Sequence, residues 1–162
     1  MTTATANSTP KGRTQSSDGK YLSFNLAQES YGVAVLKVRE IIRLQEITPL
    51  PKAPHFIKGI INLRGKIIPV IDLSLRFGMA PIEQDEHTCI IVVQIRKSNG
   101  EEKFVGLLVE AVQEVVQIGA DDIEPPPDFG SGIQLDYLQG MSKSKNGVCT
   151  LLNVEAIVNT SI

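Results

Sequence analysis

An internal repeat constrains this chain more than any other feature of its sequence. Tyr31-Gly32-Val33-Ala34-Val35-Leu36-Lys37-Val38-Arg39-Glu40-Ile41-Ile42 matches Val105-Gly106-Leu107-Leu108-Val109-Glu110-Ala111-Val112-Gln113-Glu114-Val115-Val116 at a constant offset of 74. Gly32 falls on Gly106, Val38 on Val112 and Glu40 on Glu114. Farther along, Ile67 to Leu73 matches Val148 to Val154 at an offset of 81, which also superposes Gly59 on Gly140 and Asp72 on Asn153. An insertion in the Pro/Gly-rich stretch Pro125 to Gly132 accounts for the longer offset. Self-similarity at this period means one supersecondary unit used twice. Units this short, built mostly of strands, predict two small antiparallel barrels whose thin cores gain by packing together, leaving a groove between them.

The strand pattern supports that reading. Gly59 to Leu73 places two apolar runs around the polar turn Asn62-Leu63-Arg64-Gly65. Ile67 to Ile71 is β-branched at nearly every position, and Gly65 takes φ > 0 at no steric cost, so the pair reads as a hairpin. Tyr21 to Leu26, Tyr31 to Val35, Thr88 to Ile95, Phe104 to Val109, Val112 to Ile118 and Val148 to Leu152 read as further strands, with a turn at Gln28-Glu29-Ser30. Leu36 to Glu40 fits a helical turn or extended chain equally well. Asp72 and Asn153 each stand where an N-cap belongs, before Leu73 to Phe77 and before Val154 to about residue 159. Residues 1–20 hold no branched apolar side chain or aromatic ring and are expected to form a flexible tail.

Composition removes several function classes. A net charge of −2, 5% aromatic residues and no Trp argue against nucleic acid or anionic lipid as main partner. No apolar stretch reaches the ~20 residues of a membrane span, so no direct membrane insertion is expected, and with no visible leader a cytoplasmic location is the default. Cys89 and Cys149 sit in apolar runs without metal-ligand spacing and read as buried thiols. His55 and His87 are isolated. No nucleophile–base set, nucleotide loop or paired acid stands out, so neither catalysis nor a cofactor is expected.

The residues Tyr31-Gly32-Val33, Lys37-Val38-Arg39-Glu40-Ile41, Pro54-His55-Phe56-Ile57-Lys58-Gly59, Asn62-Leu63-Arg64-Gly65, Ile68-Pro69-Val70-Ile71-Asp72-Leu73 and Gly106-Leu107-Leu108-Val109 together resemble the CheW-like coupling proteins of bacterial chemotaxis. The likeness runs from about residue 20 to the end. It implies a mainly β fold of two SH3-like five-stranded barrels in pseudo-symmetry with short helices, in agreement with the repeat. The expected division is a first subdomain over about 21–83, with the C-terminal helix added to it, and a second over about 84–152. The resemblance further implies a non-catalytic adaptor that joins the regulatory domain of the chemotaxis histidine kinase to the cytoplasmic tip of methyl-accepting chemoreceptors in membrane-associated arrays. A CheW-like adaptor of a twitching or developmental pathway is the alternative. Two departures stand out: the terminal helix is short for the family, and the tail has no counterpart in the motifs.

By the same resemblance, Glu40 and Arg64 lie on the receptor-facing side with Val38 nearby. Val35, Val38, Ile41, Val112 and Val115 supply apolar side chains to a groove for a receptor helix, which is the helix-in-groove mode of recognition. The plain structural readings stand beside these. Arg64 and Glu40 make a fixed ion pair, the valines and isoleucine are ordinary core, and Gly59, Asn62, Gly65 and Gly106 serve turns or close approaches. Kinase contacts are expected on barrel-end loops such as Met79 to His87 and Lys143 to Gly147.

Overall fold

The hairpins written in the sequence form, but they are dealt out between two sheets in an alternating way. The computed structural model describes residues 19–97, 99–126, 135–144 and 147–158. In chain order the elements are β1 (Lys20–Leu26), β2 (Glu29–Ala34), a 3-10 turn (Val35–Lys37), β3 (Val38–Arg43), β4 (Ile57–Leu63), β5 (Lys66–Asp72) and α1 (Leu73–Arg76). The second half follows with β6 (Cys89–Arg96), β7 (Glu102–Val109), β8 (Ala111–Gln117), 3-10 turns at Ala120–Asp122 and Leu135–Tyr137, β9 (Leu138–Ser144), β10 (Gly147–Leu152) and α2 (Val154–Val158). The ambiguity over Leu36 to Glu40 resolves as a helical turn through Lys37 and extended chain from Val38.

The strands make two five-stranded sheets, ordered β8-β1-β2-β10-β9 (barrel A) and β3-β6-β7-β5-β4 (barrel B). The orders are superposable, strand for strand, under the repeat. Yet neither barrel is one repeat. Each takes two strands from one half of the chain and three from the other. The expected subdomains 21–83 and 84–152 therefore correspond to the repeats and not to the sheets. The physical cause is the step after β2 and after β7. The 3-10 turn Val35–Lys37 carries the chain out of barrel A into barrel B, and the bend at Glu110 carries it back.

This exchange also corrects the expectation of purely antiparallel barrels. β10 runs parallel to β2, and β5 parallel to β7, because each of these neighbours comes from the other repeat. The registers match: Val70 lies opposite Gly106, and Leu151 opposite Gly32. Closing each barrel, the chain beyond β3 bridges to β4 (Thr48 with Ile60), and the chain beyond β8 bridges to β9 (Glu124 with Met141). Gly59 makes the first closure possible. At φ +151, a Cβ there would sit 2.2 Å from the Thr48 carbonyl oxygen.

One buried cluster runs through both sheets, from Leu22, Phe24, Val33 and Leu152 of barrel A to Ile61, Ile68, Ile91 and Leu107 of barrel B. A smaller one, Tyr21, Ile118, Cys149 and Leu151, belongs to barrel A. The barrels are thus fused by a common core rather than docked.

Both predicted helix caps form. The Asp72 carboxylate accepts from the Leu75 N–H at 3.2 Å, and Asn153 Oδ1 from the Ala156 N–H at 3.2 Å. α1 ends one residue earlier than expected, with Phe77 as its C-cap and Gly78 at φ +80. α2 lays Val154, Ile157 and Val158 into the core. Arg76 holds it there, donating to the Ile157 carbonyl at 2.9 Å while its guanidinium stacks 4.3 Å from the Phe56 ring and 4.9 Å from Tyr137. The expected turn at Gln28-Glu29-Ser30 is instead Ala27-Gln28, at φ +50 and +68. Two left-handed residues match the strand twist of a hairpin whatever their side chains, and neither residue advertises it. The expected tail 1–20 is corrected at its end, where Lys20 already pairs with Gln117 as the first residue of β1; residues 1–18, the loop 127–134, the tip 145–146 and residue 159 fall outside the described residues.

Candidate functional site

The Asn62–Gly65 corner is a two-residue hairpin. Leu63 pairs with Lys66, leaving Arg64 at φ +53 and Gly65 at φ +87, the two left-handed positions of a type I′ turn. Asn62 Oδ1 accepts the Gly65 N–H at 2.8 Å and fixes the turn. A Cβ on Gly65 would touch nothing, so glycine is needed there for its backbone alone. This geometry lifts the Arg64 side chain off the tip, 69% exposed, while its Nη2 donates to Oε2 of Glu40.

Glu40 comes from β3, the outer strand of barrel B. A bulge between Val38 and Glu40, where two steps on β3 oppose one on β6, gives the strand its local twist. The side chain of Glu40 is 27% exposed, and its carboxylate raises the already high pKa of the guanidinium. The pair ties the β4–β5 corner to β3. Beside it opens a small cleft of about 210 Å³, partly filled by Lys66 and Arg39, whose charged ends lie 4.4 and 6.0 Å from the Phe104 ring centre.

The apolar candidates divide into two groups. Val35, Val38 and Val112 are half-buried against the common core. Ile41, 45% exposed, and Val115, 55% exposed, face solvent from the outer strands of different barrels, at matched positions of the repeat. The structure brings Glu40 and Arg64 into direct contact and leaves Ile41 and Val115 exposed. Gly59 and Gly106 are close-approach glycines; a Cβ at Gly106 would lie 2.7 Å from Ile90 Cγ2.

Exposed apolar side chains that pattern reading placed within strands are Ile67 and Val148, and Leu36 of the 3-10 turn is exposed as well. Ile67 and Val148 are again a matched pair under the repeat, so comparing the two copies would have linked their environments. Of the loops expected to meet a kinase, Met79 to His87 is anchored: Ile82 is buried and its N–H donates to Asp72 Oδ2 at 3.2 Å, while Glu86 and His87 point outward. Lys143 is exposed. Cys89 is half-buried and Cys149 buried, both as free thiols, and burial pushes both above the usual thiol pKa. Among the described residues there is no cluster of three or more metal-ligating side chains, and no helix long and apolar enough to cross a membrane.

Comparisons with known proteins agree with this architecture. The model of the CheW-like domain family matches residues 20–161. The chain is similar to the chemotaxis protein CheW of Klebsiella aerogenes, 34% identical over 87% of this chain and 82% of that one. It is also similar to the chemotaxis protein CheW of Rhizobium meliloti, 31% identical over 97% and 94%. The crystal structure of the scaffolding protein TtCheW from Thermoanaerobacter tengcongensis superposes with a TM-score of 0.77 at 38% identity, covering 88% of each chain. With the fused twin sheets, the Asn-Leu-Arg-Gly corner and a family match over nearly every described residue, the chain belongs to the CheW-like family.

Proposed function

We propose that this protein is a non-catalytic scaffold that couples the cytoplasmic tips of chemoreceptors to the regulatory domain of the chemotaxis histidine kinase. The observation that carries the reading is the family match from residue 20 to 161, together with relatives named for chemotaxis and a solved relative titled a scaffolding protein. The structure supports it with a rigid body whose apolar side chains reach solvent at separated places. A receptor helix lays its apolar face against Ile41 and Val115, the half-buried Val35, Val38 and Val112 shape the floor beneath, and Glu40 with Arg64 frames the edge. The kinase takes barrel-end surfaces, near residues 79–87 and 143–147. Two docking faces on one body raise the effective concentration of kinase at the receptor, and altered packing at either face passes the signal. In the cell this places the protein in the cytoplasm, recruited to receptor arrays at the membrane.

Two pull-downs test it, one with a receptor signalling-tip fragment and one with the kinase regulatory domain. Each is expected to retain the protein, and co-sedimentation of kinase with receptor tips is expected to depend on it. Retention by neither fragment ends the proposal. Arg64→Ala is expected to weaken receptor-tip binding about tenfold or more, as polar truncations at recognition surfaces do, with the thermal midpoint unchanged. Equal loss of midpoint and binding would assign the pair a structural role only.

A further inference from the structure

The chain passes between the barrels twice, and the two crossings are fixed by different means. At the second, the bend at Glu110, the tether is the β1–β2 hairpin. The Glu110 carboxylate accepts the Ala27 N–H at 3.1 Å, and the Glu110 N–H donates to the Asn25 carbonyl at 3.2 Å. The first crossing, Val35–Lys37, has no buried residue and no side-chain cap, and Leu36 is 65% exposed. Packing holds it only through the half-buried Val35. A bond from the Val38 N–H to the Val35 carbonyl closes the turn, so Val35 and Val38 share one setting. The side chain that ties this turn to a distant element is Lys37, whose Nζ donates to Glu155 Oε2 of α2.

α2 is a firm post for such a tether. It leaves β10 of barrel A and packs against β6 of barrel B. Val154, Ile157 and Val158 are buried in the common core. The Asn153 N–H donates to the Tyr137 carbonyl at 2.8 Å, and Arg76 donates to the Ile157 carbonyl at 2.9 Å. Glu155 stands between these two anchors. The side chains of Lys37 and Glu155 keep 41% and 30% of their surface, so the pair adds little to global stability. Its importance lies in where it acts. Under the repeat, Ala111 stands for Lys37 and Ser74 for Glu155, so the first crossing alone is tied to a helix by charge.

We propose that Lys37 and Glu155 are positioning residues for the receptor groove. α2 holds Lys37, Lys37 holds the crossing, and the crossing sets Val35 and Val38 as the groove floor. Neither charged group touches the partner helix. This role rests on the scaffold reading above and extends it to α2, which the groove itself does not include. A displacement of α2 is felt at the groove through this pair, a contiguous chain of contacts from helix to floor.

The test is a double-mutant cycle in the full chain: Lys37→Gln, Glu155→Gln and the two together. Each variant is read by methyl NMR of the free protein. Each is also read by its affinity for a receptor signalling-tip fragment and for the kinase regulatory domain. Either single variant is expected to move the Val35 and Val38 methyl signals and to leave Val148, on the β9–β10 hairpin, in place. Each is expected to weaken tip binding about fivefold, the lower end of coupling between two sites. Kinase binding and the thermal midpoint are expected to stay as in the parent. The double variant is expected to lose no more than either single one, because the same pair is broken in all three. The proposal is overturned by tip affinities equal to the parent's, by Val35 and Val38 signals that stay in place, or by losses that add in the double variant. Kinase binding that falls in step with tip binding overturns it as well. A parent chain that retains no receptor tip ends the scaffold reading, and this role with it. A parent that binds while its variants match it ends this role alone.

Discussion

The two barrels agree where the backbone has no alternative and differ where a side chain meets solvent. Gly59 and Gly140 both stand where the chain crosses to close a barrel, and a Cβ at Gly140 would lie 2.5 Å from Ile123 Cγ2 and 3.0 Å from the Glu124 carbonyl oxygen. Gly32 and Gly106 both sit in the parallel seam, opposite Leu151 and Val70. Asp72 and Asn153 both cap a helix. At the crossings the agreement ends: Lys37 is answered by Ala111, and Leu36 by Glu110. Backbone collisions and orphaned amides penalise almost any change. A change of side chain at a solvent-facing crossing carries little penalty, so that is where two copies of one unit can take on different tethers.

The comparison is most directly broken at the closure glycines. Gly59→Ala sets a methyl against a backbone oxygen at 2.2 Å and forces φ +151 on alanine. It is expected to lose about 4 kcal/mol in urea denaturation, at the upper end of single substitutions. Gly140→Ala meets first a side-chain methyl, which can shift, and is expected to cost about 2 kcal/mol. Equal costs would mean that the two closures are the same in energy as well as in plan.

The caps give a smaller contrast. Asp72 is fully buried and holds two amides, those of Leu75 and Ile82, whereas Asn153 is exposed and holds that of Ala156. Asp72→Ala removes a cap and strands the buried Ile82 N–H, an expected loss of about 2–3 kcal/mol. Asn153→Ala is expected to cost about 1 kcal/mol. Thermal melts of the two variants check the order, and a reversal would show that α2, not α1, is the more dependent on its cap.

Much of this plan is legible in the sequence, because the features that fix it are residue types with few uses. The offset that aligns Gly59 with Gly140 and Asp72 with Asn153 predicts two copies of one unit, and the matched glycines mark the seam. The Arg64–Glu40 contact was legible only through the family resemblance, because Glu40 lies in a stretch whose pattern fits a helical turn or extended chain equally well and β3 stands at the far end of the sheet order from β4. What the sequence does not carry is which copy pairs with which. Both assignments of β1–β2 satisfy the same pattern, and only the 3-10 turn at Val35–Lys37 decides. Ala27-Gln28 takes a left-handed turn without the glycine or asparagine that announces one. Ile67 and Val148 sit in continuous apolar runs like buried strand residues, yet each stands at the start of its strand, next to the hairpin turn, and is exposed there while Ile71 and Leu152 on the same faces are buried. The Lys37–Glu155 tether is the hardest to read, because its halves lie 118 residues apart and neither has a charged counterpart in the other copy. A contact that one copy makes alone leaves no trace in the repeat.

The weakest contrast between the barrels is in their thiols. Cys89 lies in β6 of barrel B and Cys149 in β10 of barrel A, and in both, burial raises the pKa above the ordinary 9.0; Cys89 is partly offset by a backbone hydrogen bond involving Val112. Tyr31 is raised above 10.0 by burial and then by Glu29. In each case the folded state holds its proton to higher pH than the unfolded chain does. Above about pH 9 the unfolded state therefore binds fewer protons, and stability falls as pH rises. Below that value the contribution is fully present. Urea midpoints under reducing conditions are expected to stay level up to about pH 9, the ordinary thiol range, and to decline beyond it. Cys149→Ala and Cys89→Ala should each flatten part of the decline, Cys149→Ala by more, because no hydrogen bond offsets its burial. A decline left intact in both variants would shift the alkaline sensitivity to Tyr31, whose Phe variant would then remove it.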